Sequence, residues 1–252
     1  MLWLGVALAV SSCSAAPTAP APDRASPAAA TSPVAVPSPA TTPTSPRATP
    51  SRTPTPSVAA KPAPSKPSPD TRTGRQLAKP YAVKGIIVVS KKHRISAAYA
   101  PVKPTGPYRL TSATWAALAK MTAAARADGV RIRVHSGYRN WASQNASYQR
   151  AKRNYPQNLS FYAPAGASEH QTGLAVDLWD GVTWSLPMAN TATGKWLFKH
   201  AHEYGFILRY PEGKTKITGY HYEPWHYRFI GRTDAMKFKN NSLTLEEYLG
   251  LT

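Results

Sequence analysis

The sequence predicts an α+β domain, a small antiparallel sheet flanked by helices, preceded by a disordered tether. Three observations point there. Segments of helical period and segments of strand period are mixed along residues 81–252 without a regular βαβ rhythm. Neither a glycine-rich phosphate loop nor an internal repeat accompanies them. The prolines are crowded at one end, with 17 of 25 between Pro17 and Pro80.

That crowding divides the chain. Residues 14–80 are rich in Pro, Ala, Ser and Thr and nearly lack aromatic and large aliphatic residues. Such a stretch buries too little apolar surface to offset its ordering entropy, so it reads as a semi-extended, disordered spacer. Residues 1–13 are of another kind. The apolar run Met1–Val10 leads through Ser11-Ser12 to Cys13, the single cysteine. The run is too short to span a bilayer. Followed by small residues and a cysteine, it resembles a bacterial lipoprotein signal, in which the cysteine is lipidated after cleavage. It lacks the basic residues that usually precede such a run, which leaves room for a start upstream. The alternative is a plain secretory signal with an incidental cysteine. Either way the expected location is outside the cytoplasm, with anchoring to the outer face of the membrane through Cys13 in the first case. A lone cysteine also excludes an intramolecular disulfide and a cysteine-based metal site.

Within 81–252 the elements follow in order. Ile86-Ile87-Val88-Val89 reads as a buried strand. Thr111 or Ser112 caps a helix carrying Trp115, Leu118, Met121 and Ala125, which stops at Asp128-Gly129. Val130–His135 alternates apolar and polar residues, as a half-exposed strand does. Ser136-Gly137-Tyr138-Arg139 turns into a helix from Asn140 to Asn154. Leu174–Trp179 is a strand opened by the turn Thr172-Gly173. A third helix runs from Ala192 to Tyr204 with Leu197, Ala201 and Tyr204 on one face and Gly205 as its stop. Phe206–Tyr210 and Trp225–Ile230 read as further strands. Thr244 and Glu247 form a capping box for a short C-terminal helix.

The net charge is +19, and the excess belongs to the domain as well as the tether: from residue 81 onward, 23 Lys and Arg face 10 Asp and Glu. The aromatic-and-basic pattern of a nucleic-acid module is missing. For an exported chain, anionic wall polymers or a membrane surface are the expected partners of the basic surface, unless it is simply solvated. A monomer is the expectation.

The chemistry concentrates in two segments, Ser168–Asp177 and Glu223–His226. Asp177 lies inside an apolar strand, where a buried carboxylate costs free energy unless it is paired, hydrogen-bonded or bound to metal. Taken alone it also fits an edge position facing water. His170 stands seven residues upstream across the Thr172-Gly173 turn, and a strand bent there returns the carboxylate to the imidazole. Zinc in a hydrolase takes three protein ligands and leaves a fourth position for water. His170, Asp177 and His226 meet that count, and Glu223 is left over as a base. A His2Asp set is not strictly zinc-selective. Glu223 and His226 are three residues apart, which a regular strand would split between its faces. Glu223 must therefore precede the strand, with Pro224 setting the bend. Alone, E-x-x-H is a weak signal.

Arg139 stands where a turn enters a helix, a place suited to anions, and a guanidinium holds a carboxylate through two parallel hydrogen bonds. Gln144, one turn on, is positioned to add a donor. His135, at the end of a strand beside this turn, is a candidate for the lining. His93, His200, His202 and His221 lie in basic or aromatic surroundings without a matched carboxylate, although His221 is close enough to Glu223 to support it.

Together, Ser136-Gly137-Tyr138-Arg139 with Gln144, Ser168-x-His170-x-x-Gly173-x-Ala175-x-Asp177, and Glu223-x-Trp225-His226-Tyr227 resemble the VanY-type D-alanyl-D-alanine carboxypeptidases. These belong to the zinc peptidase group that includes lysostaphin and the hedgehog signalling domain. The resemblance covers roughly residues 82–250 and extends to Lys91-Lys92-His93 and to Leu245–Gly250. It implies the hedgehog/D-Ala-D-Ala-peptidase type of α+β fold, and Zn2+ held by His170, Asp177 and His226. It also implies Glu223 as general base and Arg139 as stabiliser of the oxyanion or holder of substrate. Ser168, Gln144 and Tyr210 match positions that line the substrate pocket, Tyr210 by its spacing from Glu223 only.

The implied reaction is removal of the C-terminal D-alanine from a peptidoglycan stem peptide. Rivals with the same chemistry are an L,D-carboxypeptidase acting on the tetrapeptide stem, a D,D-dipeptidase and a wall endopeptidase. A noncatalytic, zinc-containing wall-binding domain is a rival of another class, disfavoured because structure alone needs neither Glu223 nor Arg139.

Overall fold

The computed structural model describes residues 66–101 and 103–252. The leader with Cys13 and the spacer as far as residue 65 lie outside the described residues. Composition extends the tether to residue 80, yet residues 66–80 belong to the folded surface. Gly74–Ala78 forms a 3-10 helix. Asp70 accepts from Arg72 Nε at 2.7 Å and lies 3.0 Å from His93 Nδ1. The Ser68 carbonyl accepts from the Tyr81 hydroxyl. His93 and Tyr81 come from beyond the segment, so its own composition does not reveal these contacts.

Strands β1 (Tyr81–Val83) and β2 (Ile86–Val88) form a separate ribbon. Its two-residue loop has φ of 52° at Lys84 and 79° at Gly85, the paired positive values that match the twist of a tight hairpin. Helix α1 (Ser112–Ala127) begins where the Thr111 side chain accepts the Thr114 N–H. Its inner stripe is Thr114, Leu118, Met121 and Ala125, at spacings of three and four. Truncating the buried Leu118 to Ala would cost about 2–5 kcal/mol.

Strand β3 (Arg133–Ser136) starts three residues later than its alternation suggests, because only from Arg133 does a partner lie opposite. Helix α2 (Trp141–Asn154) is capped by Asn140. Strand β4 (Ala175–Trp179) follows. Helix α3 (Ala192–His200) tightens to a 3-10 turn over Ala201–Tyr204 and stops at Gly205. Strand β5 (Phe206–Leu208), the single turn α4 (Thr215–Thr218), strand β6 (His226–Phe229) and the turn α5 (Arg232–Ala235) come next. Helix α6 (Leu245–Leu249) has the Thr244/Glu247 capping box.

Strands β3 to β6 make a four-stranded antiparallel sheet in the order β3-β4-β6-β5. Side chains alternate between its faces. Val176, Leu178, Phe206, Leu208 and Tyr227 point to one face and pack with Leu118, Met121 and Leu197 from the helices. The opposite face receives Asp177, His226 and Arg228, together with Ile207. Ile207 joins a second core with the β1–β2 ribbon, Phe238, Leu245 and Leu249. The charged residues of strand sequence thus share one side of the sheet, and the hydrophobic helices cover the other. No helix among the described residues is long and apolar enough to cross a membrane.

Candidate active site

Three backbone features bring the chemistry together. The first is the antiparallel register of β4 with β6, which sets Asp177 directly across from His226. The second is a 3-10 turn, Glu169–Thr172, that ends at Gly173 with φ 67°, a left-handed value that glycine adopts freely. It lets the chain reverse from His170 into β4. The third is the turn before β6. The His226 N–H donates to the Glu223 carbonyl at 3.1 Å, so both side chains enter one cavity although a strand would have separated them. The bend expected at Pro224 is present.

The resulting cluster is tight. His170 Nε2 lies 3.2 Å from Asp177 Oδ2, and His226 Nδ1 lies 3.1 Å from Asp177 Oδ1. All three residues are buried, and one ligand atom from each falls within 4.8 Å of the others. His170 Nδ1 lies 2.6 Å from the Gly137 carbonyl, which fixes the ring and leaves Nε2 facing Asp177. Nε2 itself makes no hydrogen bond among the described residues. A buried nitrogen without a hydrogen bond, aimed with a carboxylate and a second imidazole at a common point, fits a cation with tetrahedral N/O preference. Gly137 is needed for this carbonyl's position, since a Cβ there would lie 2.6 Å from the Tyr108 carbonyl oxygen.

Glu223 is buried, with Oε2 3.8 Å from His226 Nδ1. Burial pushes its carboxyl up to about 8, and the nearby Asp177 carboxylate adds to this against the pull of His226 and Arg139. Burial and the Arg139 charge hold the His170 imidazole below its usual value. Burial also works against a charged His226, but Asp177 and Glu169 outweigh it and carry the ring up to about 9. The same negative field that favours an imidazolium favours a metal cation.

Arg139 is the most accessible of these groups. Nε donates to Gln144 Oε1 at 3.0 Å, Nη1 donates to Ser136 Oγ at 2.7 Å, and Nη1 lies 3.5 Å from Asp177 Oδ2. Gln144 lines the cavity and is engaged at both ends: its Oε1 accepts from Arg139, and its amide nitrogen donates one hydrogen to the Ala163 carbonyl at 2.7 Å, so it holds Arg139 in place. Ser168 is buried in the cavity wall. Tyr210 lies with its ring 4.9 Å from that of His226, and burial raises its hydroxyl well above the usual value, keeping it a neutral donor.

The cavity measures about 290 Å³, and His135, Phe161, Trp184, Tyr220 and Trp225 complete its walls. A bulge in β3 at His135 turns that ring onto Trp184, with centroids 3.9 Å apart. His221 is elsewhere, exposed and against Phe161, and gives Glu223 no support. His93 and His200 do have carboxylate neighbours, Asp70 and Glu203, but both pairs lie outside the cavity. Glu169 was not legible as a site residue. The available signal was Arg209 and Arg228, two charges in apolar strand sequence that need a buried partner.

The family model for VanY, D-alanyl-D-alanine carboxypeptidase, matches residues 107–232. A D-alanyl-D-alanine carboxypeptidase of Enterococcus faecium is 41% identical over 116 residues, 46% of this chain and 35% of the relative. The solved structure of the LdcB LD-carboxypeptidase superposes with a TM-score of 0.59 at 31% identity, covering 68% of this chain and 94% of that one. A vancomycin-resistance D,D-pentapeptidase VanY variant in complex with Zn(II) gives 0.57 at 36%, covering 65% and 97%. The chain spans half the length or less of the first curated relatives it matches.

Proposed function

The chain belongs to the VanY D-alanyl-D-alanine carboxypeptidase family, and from that we propose that it is a zinc-dependent carboxypeptidase removing the C-terminal D-alanine from peptidoglycan stem peptides. The observation that carries this reading is one cavity holding a buried His170–Asp177–His226 cluster, a buried carboxylate 3.8 Å from it and a partly exposed arginine 3.5 Å from it.

His170, Asp177 and His226 would hold the zinc. The chemistry a zinc supplies there is Lewis acidity and acidification of water. Glu223 takes a proton from the attacking water and passes it to the departing amine, which its place at the cluster edge allows. Arg139, fixed by Gln144 and Ser136, binds the free carboxylate of the substrate or the developing oxyanion through the edge it keeps exposed. The buried walls keep bulk water away from this charge. A peptidoglycan substrate lies outside the membrane, which agrees with an exported chain anchored through Cys13 and spaced from the membrane by its Pro-rich segment.

Likeness to the LdcB LD-carboxypeptidase supports a second reading, cleavage of the tetrapeptide stem. One experiment separates the two. The zinc-loaded chain is incubated with synthetic pentapeptide and tetrapeptide stems, and products are read by mass spectrometry. Loss of one alanine from the pentapeptide alone is expected, and loss from the tetrapeptide would move the enzyme to L,D specificity. Cleavage of neither, with zinc bound, would overturn both readings. Glu223→Gln should abolish cleavage while zinc stays bound. Wild-type turnover by that variant would remove Glu223 from the role of base.

A further inference from the structure

Behind the cluster lies a set of buried charges that the proposed reaction does not use. Glu169 is fully buried. Its Oε1 accepts from Arg209 Nε at 2.8 Å and from Arg228 Nη1 at 2.7 Å. Arg209 is held in turn by both oxygens of Glu246 on α6, at 2.9 and 2.6 Å. Arg228 also donates to the carbonyls of Ile87 and Phe229. Two guanidiniums converge on one oxygen of Glu169 and leave the other free of both. That other oxygen, Oε2, has no hydrogen bond among the described residues and lies 3.5 Å from His226 Nε2, which has none either.

A carboxylate serving only to neutralise two arginines would spend both oxygens on them. Here one oxygen is left out of both ion pairs and lies 3.5 Å from the imidazole. His226 accordingly has its two nitrogens divided, with Nδ1 in the cluster 3.1 Å from Asp177 Oδ1 and Nε2 toward Glu169. A neutral imidazole offers a lone pair at Nδ1 only when its proton sits on Nε2.

We propose that Glu169 is a positioning residue: its Oε2 accepts the Nε2 proton of His226, fixing the tautomer and ring orientation that present Nδ1 to the metal, while Arg209 and Arg228 hold the carboxylate in place. The inference rests on the reading of His226 as a zinc ligand. It has a sharp consequence in Glu169→Gln. The two guanidiniums still demand the amide oxygen, so the amide NH2 must face Nε2. The imidazole is then driven to the opposite tautomer, with its proton on Nδ1, where the metal should bind.

The test uses the full chain. In wild-type protein with zinc added, long-range 1H–15N correlations of the histidine rings should show His226 protonated at Nε2 and zinc-shifted at Nδ1. Zinc coordination at Nε2, with the proton on Nδ1, would overturn the role of Glu169 and leave the metal reading intact. No zinc shift at either His170 or His226 would overturn the metal reading itself, and the proposal with it. In Glu169→Gln, zinc affinity by chelator competition should fall about 10- to 100-fold. Glu246→Gln removes an acceptor from the same network without touching His226. It should lower the melting temperature and leave zinc affinity unchanged. Equal losses of zinc affinity in the two variants would reduce Glu169 to a member of a structural network. The wild-type ring measurement decides the matter even where Glu169→Gln fails to fold.

Discussion

Arg139 shows how a single charge becomes a tool. A third of its side chain is exposed, yet it is not free to wander, because Gln144 holds Nε and Ser136 holds Nη1. The entropy of ordering a long side chain is thus spent before substrate arrives. Lysine has one nitrogen and cannot reach both anchors and the substrate in a fixed fork. Arg139→Lys should lower kcat/KM for the pentapeptide by about 10²-fold or more, with zinc content unchanged by metal analysis. Activity within a few-fold of wild type would remove Arg139 from the substrate or oxyanion role. The sequence marked this residue by its turn-to-helix context, and it marked Gln144 as a neighbour. It could not show that the amide of Gln144 donates to the Ala163 carbonyl, since that contact joins α2 to a loop 19 residues away.

At the scale of elements, the legible parts were those governed by local rules. Thr111 and Thr244 cap helices because their side chains satisfy N–H groups three residues on, and Asn140, read as the first residue of its helix, does the same from one position outside it. The Thr172-Gly173 turn located the start of β4, period-two alternation located β3, and the spacing of Glu223 from His226 demanded the turn before β6. The β1–β2 ribbon was half missed: the Ile-rich strand was evident, but Tyr81–Val83 became a strand only by pairing across Lys84-Gly85, a two-residue turn signal that could have been used. The 3-10 turn before β4 depends on Gly173. Alanine there would sit in a left-handed conformation, with its Cβ 3.2 Å from the Thr111 nitrogen. Gly173→Ala should destabilise the domain by about 1–2 kcal/mol or somewhat more, measured by urea denaturation, and should weaken zinc binding because His170 and Asp177 flank the turn. Unchanged zinc affinity would mean that the loop relaxes without moving the ligands.

Across the whole molecule, what the sequence hid is what long separations assemble: Glu169 with Arg209, Arg228 and Glu246, and Asp70 with His93. The second of these fastens residues 66–80 to the domain. Asp70 accepts from Arg72 through both oxygens, at 2.7 Å each, and His93 Nδ1 lies 3.0 Å away, its ring stacked on Tyr81 at 4.5 Å. The Arg72 hydrogen bonds hold the Asp70 carboxyl well below the usual carboxylate range, against the opposing effect of burial, with His93 contributing further. A depressed folded-state value means that the unfolded chain takes up the proton first as pH falls. The stabilisation is therefore complete at neutral pH, begins to fade below about pH 4, where an unfolded aspartate protonates, and is lost as pH falls through the folded value. Asp70 lies near the surface, so the clasp is worth about 1 kcal/mol or less. In urea denaturation, wild type should exceed Asp70→Asn in stability by a margin that is constant from pH 5 to 7 and shrinks toward zero as the pH is lowered below about 4. A margin that stays flat into strong acid would show that Asp70 contributes through shape or neutral hydrogen bonding and not through its charge. The strap at residues 66–80 would then be held by its packing and backbone contacts alone.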